Sequence, residues 1–204
     1  MSRGELFIIT APSGAGKTSI VKSITDSTTN IKKSISFTTR DKRPGEKEAV
    51  DYHFVDTKTF LSMRDSGDFL EYAEVFGNHY GTSKKWLNEQ LDAGNDVILE
   101  IDWQGAQQVR QVFPENTSIF ILPPSKEILL DRLRSRGQDS EEVISRRTLE
   151  AVTEMSHYHE FDYTVINDDF ATAVEEVKAI MISIHVKTPT QQQNQSSLIK
   201  ELLE

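Results

Sequence analysis

The chain has 204 residues, of which 37% are hydrophobic and 27% charged, and this favours one domain with an ordinary core, or a domain with an insertion. It contains no cysteine, which excludes a disulfide scaffold, thiolate metal sites and a cysteine nucleophile. Because it has neither an apolar run of about 18 residues nor a signal-peptide pattern, we expect a cytoplasmic protein without a membrane partner. The formal net charge of −9 disfavours nucleic-acid binding, since basic residues must neutralise the phosphate backbone.

The first predicted element is a buried parallel strand at residues 5–10, a short apolar run. The turn at residues 11–18 follows it directly and precedes a helical pattern. This turn matches the phosphate-binding pattern Gly-x-x-x-x-Gly-Lys-Ser/Thr, except that Ala11 replaces the first glycine. In this interpretation Lys17 binds the β- and γ-phosphates of a nucleotide and the Thr18 hydroxyl binds Mg²⁺. The alternative is a tight strand-to-helix turn with an exposed lysine.

The backbone of this turn is expected to surround the nucleotide phosphates with N–H groups. Glycine at position 14 gives the loop additional conformational freedom. The loop is thus predicted to bind ATP or GTP through Ala11, Pro12, Ser13, Gly14, Ala15, Gly16, Lys17 and Thr18.

Three further buried strands are predicted at 96–101, 117–122 and 163–167, and a helical segment follows each of them. This alternation predicts a parallel α/β sheet. Residues 34–95 differ, because short strand patterns there are separated by turn residues. They predict a small mixed β insertion, flanked by helices within the same stretch.

The C-terminal part of the chain is predicted to be mainly helical. Two helices lie between residues 125 and 160, with Gly137 at the end of the first, and a longer helix lies near 170–185. Residues 188–197 are polar, and we expect them to be frayed. Residues 198–204 form either a short terminal helix or no regular structure. An apolar face on the last helix or on this tail would support a homo-oligomer.

Two groups of arginines are candidates for phosphate binding. Arg40 and Arg43 lie in the predicted insertion, whereas Arg132 and Arg136 lie one turn apart on a helix and Arg147 lies on the next helix. Forked guanidinium groups stabilise the charge that phosphoryl transfer spreads over the phosphate oxygens, so one group could serve the donor and the other the acceptor. The alternative is a set of weak surface ion pairs. The acids nearby in sequence are Asp131, Asp139, Glu141 and Glu142.

Several longer motifs follow one another along the chain. They are APSGAGKT at 11–18, SFTTRDKRPGE at 36–46, DYHF at 51–54, FLEYAEVFGNHYGTS at 69–83, EIDWQGAQQVR at 100–110, ILPPS at 121–125, RLRSRGQDSEEVISRR at 132–147 and VINDD at 165–169. Their order and spacing, from residue 5 to about 185, resemble the guanylate kinase family in its bacterial form. The members of this family are nucleoside monophosphate kinases specific for GMP.

The resemblance implies an α/β P-loop nucleoside monophosphate kinase fold, with a parallel sheet core, a small mixed α/β GMP-binding insertion and a helical lid. The core would comprise residues 1–35, 96–125 and 159–204, the GMP-binding region 36–95 and the lid 126–158. The resemblance also implies direct in-line transfer of the γ-phosphoryl group of ATP to GMP, giving ADP and GDP in purine nucleotide metabolism. Mg²⁺ would be the cofactor.

The resemblance further implies roles for individual residues. Asn167 would lie near the adenine of ATP, and Thr18 and Asp102 would bind Mg²⁺, Asp102 through water. The residues implied to be catalytic are Lys17, Arg40, Arg132, Arg136 and Arg147. The residues implied to surround GMP are Ser36, Arg40, Arg43, Tyr52, Glu71, Tyr80, Thr82, Glu100 and Asp102.

The chemistry of guanine suits this set of side chains. Guanine presents N1–H and N2–H₂ donors on one edge, which a carboxylate at Glu71 can accept, while the hydroxyls of Ser36 and Thr82 can reach O6 or the amine. Adenine reverses the pattern at these atoms, and such a mismatch can be worth about 10⁴-fold in discrimination. Glu100 departs from the aspartate that the resemblance leads us to expect, although it keeps the acid with one extra methylene.

Two other functions remain open at this point. Guanylate-kinase-like domains of scaffold proteins bind other proteins and typically lack the phosphate-loop residues, whereas Lys17 and Thr18 are present here. A kinase of similar fold could instead phosphorylate a phosphorylated ribose. Such an enzyme would not need Glu71, Ser36 and Thr82 for a base, so their joint presence favours GMP.

Overall fold

A parallel sheet lies at the centre of the computed structural model, which describes residues 3–75, 77–135 and 141–204, and the side chains of all of these except 141–147. The strands are Leu6–Thr10 (β1), Ile31–Lys33 (β2), Phe37–Thr38 (β3), His53–Phe54 (β4), Phe69–Val75 (β5), Asn78–Ser83 (β6), Asp96–Glu100 (β7), Asn116–Leu122 (β8) and Tyr163–Ile166 (β9). The helices are Lys17–Ser27 (α1), Thr57–Asp65 (α2), Lys84–Asp92 (α3), Trp103–Val112 (α4), Lys126–Ser135 (α5), Glu141–Ser156 (α6), Phe170–His185 (α7), Thr188–Asn194 (α8) and Ser196–Leu203 (α9). A 3₁₀ helix, His157–Glu160, follows α6.

The central sheet has the strand order β2-β7-β1-β8-β9, and its neighbouring strands are parallel. Both of its faces are covered, which explains why β1 is a continuous apolar run rather than an alternating one. Phe7 and Ile9 pack against α1 and α7 on one face, whereas Leu6 and Ile8 pack against α3 and α4 on the other. The predicted parallel α/β sheet is therefore confirmed.

A second, mixed sheet has the order β4-β3-β6-β5, with β3 parallel to β4 and the other pairs antiparallel. Helix α2 begins after Asp56, whose side chain accepts a hydrogen bond from the Thr59 N–H. Phe60 of this helix is fully buried and lies against Phe69 of β5, with ring centroids 4.6 Å apart. The sequence prediction of a small mixed insertion agrees with this sheet.

Helix α3 lies within the predicted GMP-binding region but packs against the central sheet. Its buried residues Leu87 and Leu91 belong to the same cluster as Leu6 and Val97. The Gly4 N–H also donates to the Leu91 carbonyl at 2.8 Å. The second sheet is therefore tied to the core through the helix that immediately follows it.

The carboxyl ends of β1, β7 and β2 meet at one edge of the central sheet, which is where ligands bind in open parallel sheets. The phosphate loop follows β1 at this edge. Asp102 follows β7, and its carboxylate caps α4 by accepting a hydrogen bond from the Gly105 N–H at 2.9 Å. Lys33 is the last residue of β2.

The expectation for residues 188–197 is wrong, because α8 and the start of α9 occupy this stretch. Proline at position 189 sits in the first turn of α8, where its fixed φ is compatible with a helix, and the Gln191 side chain donates to the His185 carbonyl. The predicted helix end at Gly137 lies outside the described residues. Within the described residues, the helices are too short or too polar to cross a lipid bilayer.

Candidate active site

A cleft of about 590 Å³ opens at the carboxyl edge of the central sheet, between the phosphate loop and the second sheet. It brings together most of the residues predicted from the sequence. The predicted residues that line it are Ala11, Pro12, Ser13, Gly14, Gly16, Lys17, Thr18, Ser36, Arg40, Arg43, Tyr52, Glu71, Tyr80, Glu100 and Asp102. The lining residues that the sequence analysis did not select are Ser19, Lys33, Glu46, Asp51, Ala73, Val75, Ile101 and Glu154.

The phosphate loop has the backbone of an anion-binding turn. Gly14 and Gly16 have φ values of 93° and 97°, which a residue with a side chain adopts only with strain. Gly16 is the N-cap of α1 and has no side chain to satisfy the first N–H groups of that helix, so these donors are available to phosphate. Ala11 does not have a positive φ, since Ala49 is the one described non-glycine residue that has one. The backbone at position 11 therefore does not require glycine.

The loop is held from behind by Asn167. Its side-chain amide donates to the Ala15 carbonyl at 2.7 Å, and a Cβ on Gly16 would come within 2.3 Å of the same amide nitrogen. Asn167 is only 3% exposed and Ala15 is fully buried, so neither lines the cleft. The structure therefore places Asn167 behind the phosphate loop, where it supports the loop backbone.

Of the predicted arginines 132, 136 and 147, the structure describes the side chain of Arg132. Its Nη2 donates to the Asn167 carbonyl at 3.2 Å, which brings the guanidinium group to the rear of the phosphate loop. Its Nη1 is buried and has no hydrogen-bond partner among the described residues. A buried donor of this kind is compatible with a ligand. Arg136 and the side chain of Arg147 lie outside the described part of the chain.

Lys17 and Thr18 make contacts with the end of β7. The Lys17 Nζ donates to the Ile101 carbonyl at 3.1 Å, and the Thr18 hydroxyl donates to Oε1 of Glu100. Oε2 of Glu100 in turn lies 3.2 Å from the Nζ of Lys33. The two loop side chains are thus fixed at the carboxyl edge of the sheet.

Glu71 is a buried carboxylate in the wall of the cleft. It is 3% exposed, and its Oε1 accepts a hydrogen bond of 2.6 Å from the fully buried Thr82 hydroxyl. Burial raises the pKa of Glu71 to about 7, and the nearby Asp102 adds to this effect. Thr82 does not line the cleft, so in this structure its hydroxyl is directed to Glu71.

Glycine at position 105 makes room for that carboxylate. A Cβ on Gly105 would lie 2.7 Å from Oε2 of Glu71, a distance too short for any van der Waals contact. Gly105 lies in the first turn of α4, which packs against β5. The Glu71 position therefore depends on a residue that is distant in sequence.

Arg40 and Arg43 lie near an acid that the sequence analysis did not select. Nη2 of Arg40 contacts Oε1 of Glu46 at 2.7 Å, and the Arg43 N–H donates to Oε2 of Glu46 at 2.8 Å. Partial burial disfavours the Glu46 anion, but the hydrogen bonds from both residues outweigh it and lower the Glu46 pKa. Glu46 could have been selected from the sequence, because it follows the turn signal Pro-Gly at 44–45 directly after Arg43.

Tyr52 remains a hydroxyl donor at any ordinary pH. Burial raises its pKa to about 12, with Tyr80 and Glu100 as further causes. The guanidinium carbon of Arg40 lies 5.4 Å from the centre of the Tyr52 ring, which also packs edge-on against the Tyr80 ring. The two tyrosines and Arg40 therefore form one polar wall of the cleft.

Glu154 of helix α6 reaches the phosphate loop from the region predicted to be the lid. Its Oε2 accepts a hydrogen bond of 3.2 Å from the Ser13 N–H, and burial raises its pKa. This contact could not be predicted from the sequence, because Ser13 and Glu154 are far apart in the chain and Glu154 follows an ordinary helical pattern.

The donor groups at the end of β7 suit Mg²⁺ rather than a softer metal. They are the hydroxyl of Thr18 and the carboxylates of Glu100 and Asp102, and hard cations prefer oxygen ligands. Among the described residues, acids and histidines do not cluster into a complete cage. Mg²⁺ usually keeps several waters and shares its coordination with substrate phosphates.

The parallel sheet, the glycine-rich loop between β1 and α1 and the mixed insertion across the cleft define an α/β P-loop kinase. A sequence model of the guanylate kinase family matches residues 3–184. A guanylate kinase of Pseudomonas fluorescens is 57% identical over 202 residues, which cover 99% of this chain and 98% of the relative. A guanylate kinase of Hahella chejuensis is 57% identical over 192 residues, covering 94% of this chain and 92% of the relative.

A solved structure agrees with the sequence relatives. The crystal structure of guanylate kinase from Anaplasma phagocytophilum matches with a TM-score of 0.76 and 36% identity, covering 92% of this chain and 89% of that one. The chain belongs to the guanylate kinase family. The predicted family and the predicted fold class are both confirmed.

Proposed function

We propose that the chain transfers the γ-phosphoryl group of ATP to GMP within the described cleft, by direct in-line displacement and without a covalent enzyme intermediate. Guanylate kinase function follows from the family match and from relatives that are similar over nearly the whole chain. The observation that best supports GMP as the acceptor is the buried Glu71 carboxylate in the cleft wall. The −9 net charge disfavours nucleic acid as a partner, and free nucleotides are the proposed partners.

On the donor side, the loop N–H groups and Lys17 would bind the phosphates of ATP. The left-handed glycines at 14 and 16 shape the loop, and the first N–H groups of α1 have no side-chain cap, so these N–H groups can face an anion. The hydrogen bond from the Lys17 Nζ to the Ile101 carbonyl keeps the ammonium group at the mouth of the loop. This preorganisation favours a reaction that depends on positioning and charge stabilisation.

On the acceptor side, Glu71 would recognise the base. A carboxylate accepts hydrogen bonds from both N1–H and N2–H₂ of guanine, whereas adenine offers an acceptor at N1. AMP would therefore leave a buried carboxylate unpaired, which costs more than a missing contact at an exposed site. Thr82 holds one oxygen of Glu71, so the carboxylate is oriented before GMP arrives.

The arginines would bind the phosphate of GMP and the transferred group. Arg40 and Arg43 lie on the acceptor side, where Glu46 fixes them at the cleft wall. Tyr52 and Tyr80 add hydroxyl groups to the same wall. Arg132 contacts the Asn167 carbonyl behind the donor loop and does not line the cleft, so its role at the phosphates stays a prediction. Arg136 and Arg147 stay predictions because they fall outside the described side chains.

Mg²⁺ would be held by the Thr18 hydroxyl and, through water, by Asp102, with Glu100 as the neighbouring acid. When bound, the ion supplies charge neutralisation between the phosphate groups. Asp102 already accepts hydrogen bonds from the Gly105 N–H and the Gln104 side chain, so its carboxylate is held in one orientation. A water-mediated contact suits a carboxylate that is occupied in this way.

The proposal is tested by ADP formation from ATP in the presence of Mg²⁺, with GMP, AMP, CMP, UMP and ribose 1,5-bisphosphate offered in parallel. We expect turnover with GMP alone among these acceptors. Turnover with ribose 1,5-bisphosphate instead would assign the chain to sugar-phosphate chemistry. Turnover with none of them would favour a protein-binding module that keeps the fold.

A further inference from the structure

Glu100 is the cleft acid at which this sequence departs from the expected aspartate, and its two oxygens have different partners. Oε1 accepts the hydrogen bond of the Thr18 hydroxyl, on the donor side of the cleft. Oε2 lies 3.2 Å from the Lys33 Nζ, in an ion pair whose side chains are 11% exposed for Glu100 and 31% exposed for Lys33. The pair is thus partly shielded from water and lies in the cleft wall.

The ion pair results from the strand register. Strand β2 lies parallel to β7, with Lys33 beside Ile98, and the Ser34 N–H extends the pairing by donating to the Ile98 carbonyl at 2.9 Å. Both strands then end at the same edge, so the long side chains of Lys33 and Glu100 meet there. An aspartate would end about 1.5 Å closer to the backbone, one C–C bond short of this arrangement.

The charges of the cleft indicate why a cation is needed at this point. Two anionic nucleotides must enter a cleft whose wall contains more acids than bases. The acids are Glu46, Asp51, Glu71, Glu100, Asp102 and Glu154, and the bases are Lys17, Lys33, Arg40 and Arg43. Of these bases, Arg40 forms an ion pair with Glu46, and Lys33 forms an ion pair with Glu100. The Glu100 charge also contributes to the raised pKa of Tyr52, so it acts on a residue of the acceptor side.

We propose that Lys33 is a positioning residue for GMP binding. It acts through Glu100, because it holds the carboxylate against Thr18 and offsets a negative charge that would otherwise repel the acceptor phosphate. The Lys33 charge thereby stabilises the glutamate at position 100, where an aspartate was expected. This inference rests on the proposed function, because it takes GMP as the ligand of the acceptor side.

The test measures the equilibrium dissociation constant of GMP by calorimetry, without ATP and in the presence of EDTA. The proteins compared are the parent chain, Lys33→Met, Glu100→Gln and the double variant Lys33→Met/Glu100→Gln. Lys32→Met is the matched control, because Lys32 is the preceding residue of β2 and is exposed. We expect Lys33→Met to weaken GMP binding about tenfold, and Lys32→Met to change it by less than about twofold. Lys33→Arg should restore most of the affinity, since it keeps the charge.

The double variant separates an action through Glu100 from a direct contact with GMP. In the Glu100→Gln background, Lys33→Met should change the dissociation constant by less than about twofold, because the neutral amide needs no cation. A tenfold loss in that background would overturn the proposal, as would unchanged GMP binding in Lys33→Met alone. Thermal unfolding of each variant separates a folding defect from a binding defect, and Lys33→Gln replaces Lys33→Met if the latter does not fold.

Steady-state kinetics give a second readout. Lys33→Met should raise the KM for GMP about tenfold and leave kcat within about threefold, a split that a general structural defect would not produce. Turnover of GMP by the unmodified chain decides the proposed function independently. If the unmodified chain is active and Lys33→Met has the same KM, this inference fails while the proposed function stands.

Discussion

The donor side and the acceptor side of the cleft are encoded in the chain in different ways. The phosphate loop is a run of consecutive residues, 11–18, and its shape depends on Gly14 and Gly16 within the run itself. The acceptor side exists only after folding, because Glu71 comes from β5 and the glycine that makes room for it comes from α4. A local motif specifies the first, and the packing of distant elements specifies the second.

This difference predicts two kinds of variant. A change in the loop should reduce turnover for every acceptor, since all of them need the same donor. A change on the acceptor side should reduce the use of GMP and leave ATP binding intact. The largest effect is expected for a change at Lys17 in the loop. A smaller effect is expected for the packing of Gly105 against Glu71, and the smallest for the ionisation of Glu71.

The largest effect is expected for Lys17→Ala. Removing the ammonium group from the mouth of the loop should lower kcat about 10³-fold or more, because charge stabilisation at the transferred phosphoryl group is lost. Steady-state kinetics measure this loss, and Lys22→Ala on the exposed side of α1 is the control. The melting temperature should stay within a few degrees of the parent value; near-normal turnover by a folded Lys17→Ala protein would remove Lys17 from the mechanism.

Gly105→Ala should damage the acceptor side alone. The added methyl group would lie 2.7 Å from Oε2 of Glu71 and must displace the carboxylate, so kcat/KM for GMP should fall about 10²-fold. The dissociation constant of ATP, measured by calorimetry on the same protein, should change by less than about twofold. An equal loss of ATP affinity would show that the two sides of the cleft are not separable as described here.

The ionisation of Glu71 predicts a smaller, pH-dependent effect. Burial raises its pKa from the usual 4.5 to about 7, and guanine needs the ionised form as an acceptor. The dissociation constant of GMP should therefore rise about tenfold as the pH falls from about 8 to about 6. Calorimetry on Glu71→Gln provides the control, since the part of the pH dependence due to Glu71 disappears there and titration of the GMP phosphate remains.

The raised pKa of Glu71 also affects folding stability. A rise in pH strengthens GMP binding through Glu71 but lowers the free energy of unfolding. Between pH 4.5 and 7 the folded chain holds a proton on Glu71 that the unfolded chain has lost, so the free energy of unfolding falls as the pH rises through this window. Chemical denaturation at several pH values should show this fall in the parent protein and a smaller one in Glu71→Gln. A stability that rises through the window by the same amount in both proteins would contradict a raised Glu71 pKa.

Much of the fold could be predicted because its signals are local. The apolar runs of β1, β7 and β8 are contiguous, and the helical pattern of α7 is strongly periodic. Strand β2 was missed, because its residues Ile31–Lys33 are short and mostly polar. The tail was wrongly expected to be frayed, since polar glutamines give no core pattern although they tolerate a helix.

The site could be predicted only where side chains belong to a motif. The phosphate loop and the residues around Arg40 lie in continuous motifs, and the structure gathers most of them in one cleft. Glu154 and Lys33 could not be found in this way, because their contacts with Ser13 and Glu100 depend on how α6 and β2 pack. Asn167 was selected from a motif, but its hydrogen bond to the loop backbone could not be predicted, because that contact joins residues distant in sequence.

The central claim is that a buried carboxylate at Glu71 selects guanine. The most direct measurement is the ratio of kcat/KM for GMP to kcat/KM for AMP, determined for the parent chain, for Glu71→Gln and for Glu74→Gln on the exposed part of the same strand. We predict that this ratio falls about 10²-fold or more in Glu71→Gln and stays within about twofold in Glu74→Gln. An unchanged ratio in a folded Glu71→Gln protein would contradict the account.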